Sequence, residues 1–319
     1  MDNLTHSLVG AVLGQAGLKR RTGLAMPALI IGANLPDIDA ACFFWLEGAE
    51  HLGFRRGITH GPPALVLLPL VLAGLLWGWD RWQAKRGTRP KDRLPVHFGW
   101  LYALGFLGAL SHPLLDWLNV YGIRFFEPFS SAWSYGDTLF IIDVWLWALL
   151  GLTLWASLRS EKKGGKWRRP AWIGIAVGLA YIGANWAISA GIKASSHSPY
   201  GLQADLIPSP PPLEFWKRDV IYRDPETGRW MMIDYSPGSA IPDAVPVAQG
   251  QPCAIPDLSA LRKEDGELDA FLFWSRAPFA TRAQGGGIVL HDARFYDPRA
   301  RDRFSIALPD TPCEEPAGE

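Results

Sequence analysis

Six apolar stretches, at about 4–18, 24–46, 62–79, 98–118, 138–158 and 171–190, dominate the first 195 of the 319 residues. The last four have the length of helices that cross the roughly 30 Å hydrocarbon core of a bilayer. The first is short for a full crossing. The second carries Pro27 and Pro36, which predicts a broken helix. A chain in lipid must satisfy its backbone hydrogen bonds internally, so these runs predict an all-α polytopic membrane domain over 1–195, with five to six apolar helices, one of them broken.

The formal net charge of zero conceals a split. Residues 1–195 hold 19 Lys and Arg against 12 Asp and Glu, whereas residues 196–319 hold 12 against 19. In the first part, Lys19-Arg20-Arg21 and the loops 80–95 and 159–169 carry 15 of the 19 positive charges. The positive-inside rule makes those loops cytoplasmic, which accounts for the basic residues without a nucleic-acid partner. The loops 47–61 and 119–137, and everything after the last apolar stretch, are then expected outside the cytoplasm of a cytoplasmic (inner) membrane. Met1 to His6 lacks a basic n-region, so no cleaved signal peptide is expected.

Beyond Ser195 the pattern changes. Sixteen of the 26 prolines lie there, and Pro210-Pro211-Pro212 predicts a stiff linker. Ile221-Tyr222-Arg223 and Trp230 to Tyr235 flank a turn at Asp224 to Gly228 and read as a hairpin. Phe271 to Trp274, Ile288 to His291 and Arg303 to Ala307 read as further strands. The expectation for 196–319 is a small β-rich extracytoplasmic domain with a disordered acidic tail after Leu308. Cys253 and Cys313 could pair there.

An ionised group at the centre of a membrane helix costs roughly 2.5–3.5 kcal/mol on insertion scales, so such groups need a reason to be present. His112 and Asp116, spaced i,i+4 around Pro113, share one helical face and can share a metal. The predicted orientation puts His6, Asp37, Asp39, His60 and Asp143 in the same outer leaflet. A break at Pro36 would let Asp37 and Asp39 turn into one cavity. Three histidines and four aspartates are a ligand set for divalent ions, zinc first among them, and they exceed one four-ligand site. Two or three ions are therefore expected. Arg55 and Arg56, just before Gly57-Ile-Thr-His60, add cations whose guanidinium geometry suits a phosphate. The remaining candidates have structural readings: Asp137 as a turn residue, His51 as solvated, His97 at the cytoplasmic end of its helix, His197 in the linker, and His291 on a strand.

The ordered set Asp2-Asn-Leu-Thr-His6, Leu35-Pro-Asp-Ile-Asp39, Arg56-Gly-Ile-Thr-His60, Ser111-His-Pro-Leu-Leu-Asp116 with Asn119, Tyr121 and Gly122, and Asp137 to Asp143 resembles the YdjM/YfhP-like family of membrane-bound, metal-dependent hydrolases. The resemblance covers about 1–195. Through its His-x-x-x-Asp element it implies kinship with zinc-dependent phospholipase C, and hence phosphoester hydrolysis. Gly61 departs from the pattern, which leads to Ser there. The enzyme reading is then a hydrolase of a phosphorylated, lipid-borne substrate at the outer leaflet, with Asp37 or Asp39 doubling as general base and Arg56 on the phosphate. The alternative is a non-catalytic transporter or sensor that uses the same residues for metal or protons. A conduit would also need polar residues in the inner leaflet, where stretches 62–79 and 171–190 offer little beyond Asn185.

Overall fold

The computed structural model describes residues 1–194, 205–240, 242–248, 252–298 and 301–314. His197 and residues 315–319 lie outside them. The chain divides into two units: Met1–Asp39 with Arg56–Trp186, and Ala40–Arg55 with Ala187–Glu319.

The first unit is helical. Helix α1 (Asn3–Gln15) starts where the Asp2 carboxylate accepts from the amides of Leu4 and Thr5, satisfying donors that a helix N-terminus leaves open. Helix α2 (Ala25–Gly32) keeps Pro27 in its first turn, where proline is tolerated, so Pro27 causes no break. The break falls instead at Ala33-Asn34, ahead of Pro36. The chain bends by 52° there and continues as a 3₁₀ segment, Leu35–Phe44. After a short helix α3 (Glu50–Phe54) come α4 (Pro62–Lys85), α5 (Phe98–Trp117), α6 (Val144–Lys162) and α7 (Arg168–Ala194). Among the described residues, α4, α5 and α7 are long and apolar enough to cross a membrane, and the bent pair adds a fourth crossing if it is one span. Their outer faces carry exposed Leu75, Leu114 and Leu179, the composition that lipid favours and water does not.

Helix packing brings the polar ligands together. A Cβ on Gly108 of α5 would lie 2.6 Å from the Leu29 carbonyl of α2, so only glycine allows this approach. With the two backbones so close, the next turn of α5 delivers His112 onto the broken end of α2.

The second unit is an antiparallel β structure with short helices. Strands β1 (Ile207–Ser209), β2 (Arg218–Arg223), β3 (Trp230–Tyr235) and β4 (Val245–Pro246) form one sheet in sequence order. Strands β5 (Pro252–Cys253), β6 (Pro278–Arg282), β7 (Ile288–Asp292) and β8 (Ser305–Leu308) form another. The expected hairpin is present, with Val220 opposite Ile233. Three expectations change. The segment containing Phe271–Trp274 is a helix. After α8 (Leu261–Glu264), helix α9 (Gly266–Trp274) is capped by Asp265 and buries Leu268, Phe271 and Trp274 on one face. Part of the expected linker is the edge strand β1, where Pro208 does not interrupt a ladder on both sides. The start of the tail is tied down, because Cys313 is disulfide-bonded to Cys253 and the Glu314 carbonyl accepts from Ala254 N at 2.8 Å. The unit also takes in residues 40–55. Helix α3 packs on α9 with Gly53 against Ala270, and the Glu267 carboxylate accepts from Ala49 N at 2.9 Å.

Candidate metal centre

Asp116 occupies the middle of the centre and is fully buried. Its Oδ1 faces the Met1 amino group and His6 Nε2, the latter at 3.3 Å. Its Oδ2 faces Arg56 Nε at 3.0 Å, and His60 Nε2 and His112 Nε2 at 3.6 Å each. All three histidines are fully buried. His6 and His112 stack with centroids 3.7 Å apart. The centre therefore gathers α1, the segment before α4 and α5 around one carboxylate.

Two groups of side chains can each present ligand atoms within 4.8 Å of one another: His6, Asp37 and His112, and His60, His112 and Asp116. The partners behind them set which atoms are free. His112 Nδ1 lies 2.7 Å from the Ala33 carbonyl, the group left open by the break after α2, so Nδ1 carries the proton and Nε2 keeps its lone pair. His60 Nδ1 is 3.0 Å from Thr59 Oγ1 and 3.5 Å from Asp39 Oδ2, leaving its Nε2 toward Asp116. His6 Nε2, His60 Nε2 and His112 Nε2 are buried with no hydrogen-bond partner, and they surround the Asp116 carboxylate, whose Oδ2 is ion-paired with Arg56. Buried polar atoms are nearly always partnered, so three such nitrogens around one carboxylate match the donor set of a divalent ion. The residues present fit a metal. His112 offers one free lone pair, so it can serve only one of the two groups at a time.

Asp39 stands behind the ligands. It accepts from Arg56 N at 2.8 Å and from Thr59 Oγ1 at 3.3 Å, which fixes the segment that carries His60. Arg56 has φ 55°, unusual for a residue with a side chain. Its backbone is held at both ends, by Asp39 and by Arg124 N, which donates to the Arg56 carbonyl at 3.0 Å. Its guanidinium, 4.5 Å from the centroid of Tyr121, gives Nη1 to Asn119 Oδ1 at 2.9 Å and to the Gly122 carbonyl at 3.2 Å. Asn119 and Tyr121 are thus part of the centre. Their position just past Asp116 was the available signal, but nothing in the sequence tied them to Arg56.

The family described as YdjM inner membrane protein matches residues 1–192, the whole segment that holds the centre. The chain belongs to this family. No curated protein and no solved structure matches it. YdjM membership, with three to four apolar spans, makes this a multi-pass inner-membrane protein.

Within the YdjM region two expected participants have other partners. Asp143 caps α6, accepting from Leu146 N at 2.8 Å, and also accepts from Tyr181 Oη at 2.8 Å. It belongs to neither ligand group, because the N-terminus of α6 needs an acceptor at that position. Arg55 leaves with the second unit, its guanidinium 5.6 Å from the Phe43 ring centroid. His97 is exposed at the start of α5, roughly 22 Å along the helix from His112. Gly61, the departure from the family pattern, has a steric cause: a Cβ there would fall 1.9 Å from the Glu127 carbonyl oxygen.

Proposed function

We propose that the chain is a membrane-embedded hydrolase that uses a divalent metal, zinc first, to cleave phosphoester lipids at the outer leaflet. The observation that carries this reading is the convergence of three buried imidazole nitrogens without hydrogen-bond partners on one buried carboxylate that an arginine holds. In this reading His6, His60, His112, Asp37 and Asp116 hold the metal. When bound, the ion polarises a phosphoryl oxygen and lowers the pKa of water. Asp37 is the base that accepts the proton of the attacking water. Of the three aspartates it alone is not fully buried, at 8% side-chain exposure, whereas Asp39 is engaged by Arg56 N and Thr59. Arg56 orients Asp116 and has Nη2 left for a phosphate oxygen, since no described residue bonds to it.

The residues interleaved with the ligands suit a lipid substrate. Leu4, Ile38, Ile58 and Leu114 are apolar and about half exposed, as expected where a site opens to acyl chains rather than to water. The outer-leaflet assignment is supported by the basic loops and by the Cys253–Cys313 disulfide, a bond that persists in oxidising compartments. A conduit is less well supported. At the opposite end of the helices, buried Asp80 is paired with Arg89 and Arg93, and Gln15 with Lys19 and Ser157.

The test uses the full chain purified in neutral detergent and loaded with zinc. Release of product from a chromogenic phosphodiester or from phosphatidylglycerol is expected, abolished by His112→Ala and retained by Asp143→Ala. A zinc-loaded protein that hydrolyses neither ester would overturn the enzymatic reading.

A further inference from the structure

The second unit contains a cavity of about 710 Å³ whose lining comes from both sheets. Arg223, the turn at 225–229 and Trp230 supply one side, Pro246 to Ala248 extend it, and Cys253 to Ile255 with Arg276 and 278–280 supply the other. The indole N–H of Trp230 donates to the Pro278 carbonyl at 3.0 Å and links the two walls. The disulfide at Cys253 anchors one edge.

The charge of this cavity runs against that of its surroundings. Residues 196–319 carry 12 basic residues against 19 acidic ones, yet Arg223, Arg229 and Arg276 all line the cavity, with Glu226 as the sole acidic side chain of the lining. Arg223 Nε bonds to the Gly228 carbonyl at 3.1 Å and shapes the turn, while no described residue bonds to its η nitrogens. Trp230 and Phe279, both half-buried, line the same cavity, and Thr227 adds a hydroxyl. A volume in the range of small-molecule sites, apolar rings and a few convergent charged donors are the features of a ligand pocket. Three arginines select an oxyanion, and rings next to them suit the apolar face of a sugar or polyol.

We infer that this cavity binds a phosphorylated polyol of sugar size, either free or as a lipid headgroup. The site is separate from the metal centre and does not depend on it. Calorimetric titration of the full chain in neutral detergent with glucose 1-phosphate tests the free ligand, with glucose as the uncharged control. Titration with nanodiscs of phosphatidylglycerol, against phosphatidylcholine, tests the headgroup source. Saturable binding of one phosphorylated probe, weakened about tenfold or more by Arg276→Gln, is expected, as for loss of one charge-assisted contact. Arg223→Gln, at an exposed position, gives the same readout where Arg276→Gln lowers the melting temperature. Binding should persist in His112→Ala and after chelation. Failure of both phosphorylated probes to bind, equal binding of glucose or of phosphatidylcholine, or wild-type affinity in both arginine variants would overturn the inference.

Discussion

Metal removal is the sharpest test of the centre, because its size follows from the unpartnered atoms. A buried polar atom without a partner costs about 1–3 kcal/mol, so the Nε2 atoms of His6, His60 and His112 would together cost ~3–9 kcal/mol in chelated protein. Water entering the chelated centre would recover part of this, so the lower end is the expectation. At about 2–4 °C per kcal/mol for units of this size, ~3 kcal/mol corresponds to a fall of ~6–12 °C in melting temperature. Differential scanning fluorimetry of the detergent-purified chain, with chelator and then with excess zinc, measures it. His6→Leu supplies the control, since both ring nitrogens of His6 lack partners and the ring is fully buried. In chelator the variant should melt at or above the wild type, because an unsatisfied polar group has been replaced by an apolar one. In zinc it should melt below the wild type, because a ligand is gone. Identical wild-type melting in chelator and zinc, or an equal loss for His6→Leu in both, would refute a metal at this position.

Three further outcomes follow from single residues. Gly61→Ser should lower both bound metal and melting temperature, since the new Cβ meets the Glu127 carbonyl oxygen at 1.9 Å beside His60; elemental analysis with wild-type stoichiometry would exclude that steric account. Asp143→Ala should lose about 1 kcal/mol of stability with the cap on α6 while keeping its metal, as read by the same melting and elemental assays. His291 is buried, and burial together with the nearby Arg301 pushes its pKa down to about 4 from an ordinary 6.5. The fold favours the neutral ring, so its stabilisation is complete above 6.5 and lost as pH falls toward 4; the unfolding midpoint of His291→Gln should vary less with pH than wild type across that window.

Some of this was legible in the sequence because the physics is local. Apolar length marks the spans, and the i,i+4 spacing of His112 and Asp116 puts them on one face whatever surrounds them. A hairpin between Ile221 and Trp230 follows from β-branched and aromatic residues on either side of a turn. Other features depend on contacts distant in sequence. Phe271–Trp274 is as apolar as a strand, and it is the Asp265 cap and packing against α3 that make it a helix. Asp143 has a ligand's chemistry, and its local duty at the start of α6 decides its place. The role of Arg56 was half visible: its charge could be read, while its anchorage to Asp116, Asn119 and Gly122 spans up to 66 residues.

The positions where the backbone departs from regular helix are also those that build the centre. The break at Ala33-Asn34 leaves the Ala33 carbonyl free of a helical partner, and that carbonyl sets the proton of His112. The left-handed φ of Arg56 aims its guanidinium at Asp116, while its amide is held by Asp39. Gly61 lets the chain pass the Glu127 carbonyl immediately after His60. In an apolar medium an irregular backbone group is costly unless protein or a cavity satisfies it. Irregularity concentrated at Ala33, Arg56 and Gly61 therefore argues that these segments are shaped by what they hold. Regular helices would be cheaper if Asp116 served only to join α5 to α1, because a buried ion pair gives little net stability over apolar packing.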